Sequence, residues 1–324
     1  MTTFAILFPG QGSQSLGMLS SMAKKFPLII KTFSQASDAL GYDLWALTQE
    51  GPVSELNKTW KTQPALLTAS VAIWRVWQAE GGPSPFMVAG HSLGEYSALV
   101  CAGVLNLTET VKLVELRGKL MQAAAGEGSM SAIIGLDDET IVKICKQTAQ
   151  NQVVSPANFN SQGQVVISGH KEAVERANIA CIAAGARKVF PLSVSVPSHC
   201  ALMKPAADKL LAELNKMVFK TSKFPVLNNA DVKVENSPEH IRDALVRQLY
   251  SPIPWVKSIQ FMIQKGVGSF LELGAGKILS GLNKRIVNKA PAFSVNDAHS
   301  LAHALNYVSG KSVNKILKED IYEI

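Results

Sequence analysis

No apolar run in this chain approaches the ~18 residues needed to span a bilayer, so a transmembrane helix is not expected. The opening "MTTFAILFPGQGSQ" has no basic segment ahead of its apolar run, which breaks at Pro9; it reads as a first strand and not as a signal peptide. Cysteine is scarce. Cys101, Cys145, Cys181 and Cys200 are scattered with no C-x-x-C pair, which argues against a zinc site or a disulfide framework and fits a reducing cytoplasm. Aromatic residues make up only 7% and do not interleave with the basic ones, which occur as pairs such as Lys24-Lys25, Arg187-Lys188 and Lys284-Arg285. That is a poor footprint for nucleic acid. Charged residues at 18% against hydrophobic ones at 47% describe a globular chain and not a disordered one.

What is present is enough length for a large core: 324 residues, or about two domain-sized units. A net charge of +7 and a pI near 9.1 point to an anionic partner or substrate. Apolar strand-like runs alternate with amphipathic helical stretches almost throughout, the pattern of an α/β protein with a mostly parallel sheet. "AILFPG" reads as a strand ending in a glycine-rich turn, "ALLTASVAIWRVWQAE" as a helix, and "FMVAGHS" as a strand that breaks into a new helix at Leu93. From Met130 to Val196 the order changes to β-α-β-β-α-β, running from "MSAIIGL" to "RKVFPLSVSV", which is the ferredoxin-like unit. Residues 126–196 therefore read as a small subdomain inserted into a discontinuous core of 1–125 and 197–324, with Gly126 and Pro197 as its hinges. The last sixteen residues read as a peripheral helix or frayed tail.

The chemistry concentrates at Gly90-His91-Ser92-Leu93-Gly94, which matches the G-x-S-x-G nucleophile elbow. Three fixed positions recur by chance, so the placement between strand and helix carries the reading. Glycines on both sides allow the close approach such a turn requires. The helix behind the serine offers unpaired N–H groups to a developing oxyanion. His91 is a poor base for its neighbour, since adjacent residues do not face each other on a helix and point to opposite faces of a strand. A packing or supporting role under the elbow suits it better. Among the other histidines, His170 opens a helix, His240 sits in a polar first turn, and His299 and His303 are flanked by alanines. His199 follows a strand and the break Pro197-Ser198, at the kind of strand end where ligand sites collect in α/β sheets. It is the best-placed base. No carboxylate lies close by in sequence to orient it. In "RQLYSPIPW", however, Pro252 has no N–H to give the Gln248 carbonyl, leaving that oxygen to water or to a neutral imidazole.

The helix "LTETVKLVELRGKLMQAAAG" places Arg117 on the stripe of Leu113, Val114, Leu120 and Met121. An inward arginine needs a partner, either a core acid or a free carboxylate that arrives with a substrate. Two glycine-rich runs, "GQGSQSLG" and "LELGAGKIL", fail the phosphate-loop spacings.

Seven segments, "FPGQGSQ", "TQPAL", "GHSLGEYSAL", "LRGKLMQ", "NFNSQGQVVISG", "VPSH" and "RQLYSPIPW", together resemble the bacterial malonyl-CoA:acyl carrier protein transacylases, in order and spacing from about residue 4 to about 290. The resemblance implies an α/β-hydrolase-like core with an inserted ferredoxin-like subdomain. It implies Ser92 as the nucleophile that becomes malonylated, His199 as general base and the Gln248 main-chain carbonyl as its orienter. The N–H groups of Gln11 and Leu93 would form the oxyanion hole, Arg117 would bind the malonyl carboxylate, Met121 would line the acyl pocket, and Asn160 would contact substrate or pantetheine. It further implies ping-pong malonyl transfer from malonyl-CoA to an acidic acyl carrier protein for fatty acid synthesis. No metal and no cofactor beyond the coenzyme A thioester substrate is called for, and the expected protein is a cytoplasmic monomer. Polyketide synthase relatives that prefer malonyl often carry Phe before the histidine; here it is Ser198, which leaves α-methyl substrates open. A serine esterase or thioesterase shares the elbow and is the alternative, and a carrier-protein-binding scaffold with a vestigial serine is a third.

Overall fold

The computed structural model describes residues 3–192 and 196–310. Its strands are β1 (Phe4–Phe8), β2 (Met87–Gly90), β3 (Gly128–Ile134), β4 (Val154–Ser161), β5 (Gln164–His170), β6 (Lys188–Pro191), β7 (Val226–Leu227), β8 (Ser269–Leu273) and β9 (Ala292–Val295). They form two sheets. The first has the order β7-β2-β1-β8-β9 with every pair parallel. All five residues of β1 are buried, as a central strand covered on both faces must be. Phe4, Ile6 and Phe8 enter one core with the helices Thr59–Ala79 and Leu107–Ala124, while Ala5 and Leu7 meet Trp255, Ile259 and Met262 on the other. The period-2 alternation of side chains thus fills two layers from one strand.

The second sheet, in the order β4-β5-β3-β6, is antiparallel throughout, and its elements run β-α-β-β-α-β along the chain. Ile133, Val165 and Ile167 pack on one face against Ile141, Ile144, Val174 and Cys181 of two helices. Met130, Ala132, Ala157 and Val166 form a smaller cluster. Where the chain enters this unit and where it leaves, the two segments touch: a Cβ on Gly128 would fall 2.2 Å from Pro197 Cγ. Strand β4 is tied back to the larger unit, because Ile253 donates its N–H to Ala157 and accepts from the N–H of Phe159.

Two local expectations change. The helix expected from Ala65 begins at Thr59 and runs through Pro64, because Thr62, Gln63 and Ala65 are all buried and tertiary packing overrides the missing N–H. The last strand of the small sheet is Lys188–Pro191, and residues 193–195 of the longer expected run lie outside the described residues, as do residues 311–324 of the expected tail. Among the described residues no helix is long and apolar enough to cross a membrane. All four cysteines are buried and free.

Candidate active site

The turn after β2 is as tight as the glycines suggested. A Cβ on Gly90 would sit 1.8 Å from the carbonyl carbon of Gly94, and one on Gly94 would sit 2.0 Å from the Phe8 oxygen. No side chain fits either place. Ser92 takes φ +52°, a left-handed conformation that costs a non-glycine residue roughly 1–3 kcal/mol and persists only where its surroundings impose it. Asn229, just past β7 and fully buried, imposes it here. Its Nδ2 donates to the Gly90 carbonyl at 2.8 Å, and its Oδ1 accepts from the Ser92 N–H at 2.8 Å. His91 faces away from the serine, with Nε2 2.9 Å from Asn160 Oδ1 and its ring against Trp255.

His199 reaches the serine from 107 residues away, with Nε2 2.8 Å from Ser92 Oγ. It too has a left-handed φ of +62°, anchored by its N–H donating to the Leu249 carbonyl. Its Nδ1 lies 2.8 Å from the Gln248 carbonyl oxygen. A carbonyl can only accept, so Nδ1 carries the proton and Nε2 presents a lone pair to the serine hydroxyl. Burial, reinforced by the positive charge of Arg117, pushes the imidazole down to about 3, so it stands neutral and ready to accept. The orienter is a main-chain oxygen, and the arrangement is a dyad.

Arg117 is fully buried. A Cβ on Gly118 would fall 2.6 Å from Trp60 Cα, so this glycine lets the helices Leu107–Ala124 and Thr59–Ala79 approach and brings Arg117 against Gln63. Nη1 donates to Gln63 Oε1 at 2.8 Å and Nη2 to Gln248 Oε1 at 3.0 Å, with Ser92 Oγ 3.4 Å from Nη2. The Tyr96 ring lies beneath the guanidinium, 5.4 Å from Cζ to its centroid. Among the described residues no carboxylate lies within ion-pair distance of Arg117, and its Nε has no partner. The core acid that would have made it structural is not in contact. A buried cation beside a nucleophile, with only neutral acceptors on its fork, is suited to a carboxylate brought from outside.

The remaining expected residues fall around this centre. Met121 is buried and accepts a 3.7 Å hydrogen bond on Sδ from Gln63. Gln11 lies on the exposed loop after β1, and a Cβ on its neighbour Gly10 would meet the His91 oxygen at 2.6 Å, so loop and elbow are in contact. Neither the Gln11 nor the Leu93 N–H donates to an acceptor among the described residues. Asn160 faces His91 across the junction of the two sheets. Sequence reasoning missed Gln63, Glu95, Asn229 and the side chain of Gln248. Each is a polar group fully or almost fully buried. Glu95 in "LGEYSALV" carried a usable signal, an acid in an otherwise apolar run. A groove of about 980 Å³ between the helices Asp138–Thr148 and Trp255–Gln264 contains none of these groups.

A family model described as an acyl transferase domain matches residues 5–290. A malonyl CoA-acyl carrier protein transacylase of Salmonella typhimurium is 64% identical over 94% of this chain and 99% of its own length. The chain belongs to the malonyl CoA-acyl carrier protein transacylase family. A transacylase from Escherichia coli K12 is 62% identical over the same shares of the two chains. Among solved structures, a Vibrio cholerae acyl carrier protein S-malonyltransferase matches with a TM-score of 0.92 and 58% identity, covering 94% of this chain and all of that one. A malonyl-transacylase solved in complex with its type II PKS acyl-carrier protein matches with a TM-score of 0.93 and 62% identity over the same shares. The two-unit architecture of this transacylase, a parallel α/β-hydrolase-like core with an antiparallel ferredoxin-like sheet, is that of its family.

Proposed function

We propose that this transacylase moves the malonyl group from malonyl-CoA to the phosphopantetheine thiol of an acidic acyl carrier protein through a malonyl-serine at Ser92, supplying fatty acid synthesis. The observation that carries the reading is Arg117, a buried guanidinium without a carboxylate partner among the described residues, 3.4 Å from the hydroxyl that His199 activates. In the first half-reaction Ser92 Oγ attacks the thioester carbon and its proton passes to His199 Nε2. The oxyanion is held by the N–H groups of Gln11 and Leu93. The C–S bond then breaks, and the departing coenzyme A sulfur takes the proton from His199. In the second, His199 accepts the pantetheine thiol proton, sulfur attacks the malonyl-serine carbonyl, and Ser92 leaves with that proton. The Gln248 carbonyl holds the imidazole tautomer throughout, so each proton transfer is assigned to a group of the protein or its substrates.

Arg117 holds the malonyl carboxylate by its fork, and Met121 closes the acyl pocket. Asn160 offers its amide to the substrate or pantetheine while His91 holds its other end. We divide the chain at 125/126 and 196/197, which sets the small sheet over the elbow. The +7 charge favours encounter with an acidic carrier protein in the cytoplasm, by a monomeric enzyme that needs no further cofactor. Incubation with malonyl-CoA followed by intact-mass measurement is expected to show one acyl adduct, absent in Ser92→Ala. An unlabelled wild type would end the proposal, and hydrolysis outrunning thiol-dependent transfer would favour the esterase alternative instead.

A further inference from the structure

The transfer scheme makes no use of a buried carboxylate that lies beside the nucleophile. Glu95, on the helix that follows the nucleophile, is 2% exposed. Its Oε2 accepts from the Asn229 N–H at 2.9 Å and from Gln248 Nε2 at 2.8 Å. The same Gln248 amide accepts from Arg117 on its oxygen side and also donates to the Ser92 carbonyl at 3.0 Å. Cation and anion therefore fix one amide from both ends. They are joined by it while being kept from touching.

We propose that Glu95 is the resident counter-anion of Arg117, coupled through the Gln248 side chain, and that by competing with the substrate's carboxylate for the guanidinium it sets how tightly a dicarboxylic acyl group is held. The proposal rests on the reading of Arg117 as the malonyl site. Its physical basis is that a buried charge needs compensation, and that a direct ion pair would occupy the fork the substrate requires. Separating the partners by one amide supplies the compensation and leaves the fork open. Glu95 is a positioning residue on this account: it touches no reacting atom and acts through Gln248, whose main-chain oxygen also steadies His199.

Arrival of a second anion makes the site crowded with negative charge, and one of two carboxylates sharing a cation takes up a proton. Burial already pushes Glu95 up to about 7. The charged and titratable groups that face it are Arg117 on the helix Leu107–Ala124, Asp231 in the segment after β7, and Tyr96 on its own helix. Asp231 is held ionised by Arg247, and Tyr96 stays un-ionised through burial. Glu95 is thus the group that titrates near neutrality. Wild-type preference for malonyl over acetyl should fall as pH rises through 7, because ionised Glu95 repels the incoming carboxylate.

The test is the ratio of kcat/KM for malonyl-CoA to that for acetyl-CoA, measured from pH 6 to 8.5 on wild type and Glu95→Gln. The acetyl arm cancels what pH does to Ser92, His199 and coenzyme A. Glutamine keeps an acceptor for Asn229 and Gln248 but not the charge. The wild-type ratio is expected to fall about tenfold from pH 6 to 8, about fivefold of it above pH 7, while the variant ratio stays level and lies roughly tenfold above wild type at pH 8. A level wild-type profile, or the same slope in the variant, would overturn the proposal. Should the variant fail to fold, the wild-type profile decides alone. Absence of malonyl labelling in wild type would instead remove the transferase reading on which this one stands.

Discussion

Replacing Arg117 by alanine is expected to separate recognition of the malonyl carboxylate from the acyl chemistry. The native guanidinium is fully buried and donates to Gln63 and Gln248. Without it, a malonyl carboxylate would face the two buried amide oxygens that had accepted from the arginine. Removing one partner of a buried charge pair costs about 3–5 kcal/mol, or roughly 150- to 5,000-fold in kcat/KM for malonyl-CoA. Acetyl-CoA brings no carboxylate, so its kcat/KM should change far less and the preference for malonyl should collapse by about two orders of magnitude or more. Arg117→Lys should fall between, because an ammonium keeps the charge but cannot fork. The assay is single-turnover acylation of Ser92 with each thioester, alongside a thermal unfolding scan to show that the core is intact. Equal loss with both substrates would refute the reasoning and make Arg117 a structural residue.

Two further outcomes follow from other parts of the molecule. His199 is held at about 3 in the fold against an ordinary value of 6.5, so as pH falls below 6.5 the unfolded chain takes up a proton that the native one refuses. Its contribution to stability is complete above pH 6.5 and is lost progressively towards pH 3. Urea midpoints measured from pH 6.5 to 5 should therefore fall more steeply for wild type than for His199→Gln; parallel profiles would contradict the burial argument. Glu272 is 1% exposed and accepts from Leu279 N, Ser280 N and Ser280 Oγ at the start of the helix Ile278–Ile286. Glu272→Ala leaves those donors unpaired and should cost about 2–4 kcal/mol by urea unfolding, with Glu272→Gln recovering part of it. A loss below about 0.5 kcal/mol would show that water replaces the cap.

Sequence periodicity and spacing determined a good deal of this protein. The alternation of apolar runs gave the parallel sheet, and the change of order from Met130 onward gave the second, antiparallel one, because strand and helix periods are local properties. The glycines at 90 and 94 announced a turn that no Cβ could enter, and Pro252 announced a carbonyl without a backbone donor. Which donor would meet that carbonyl was not a local matter. Only the tertiary structure brought His199 between Gln248 and Ser92, and only it set Gln63, Gln248, Asn229 and Glu95 around the elbow. Buried amides such as the first three leave little trace in a sequence. Their partners lie up to 156 residues away, and a glutamine or asparagine reads as surface until the fold removes it from water. The apolar stripe showed that Arg117 faces inward. That among the described residues it meets two amides and no acid was decided by the packing of the helices around it.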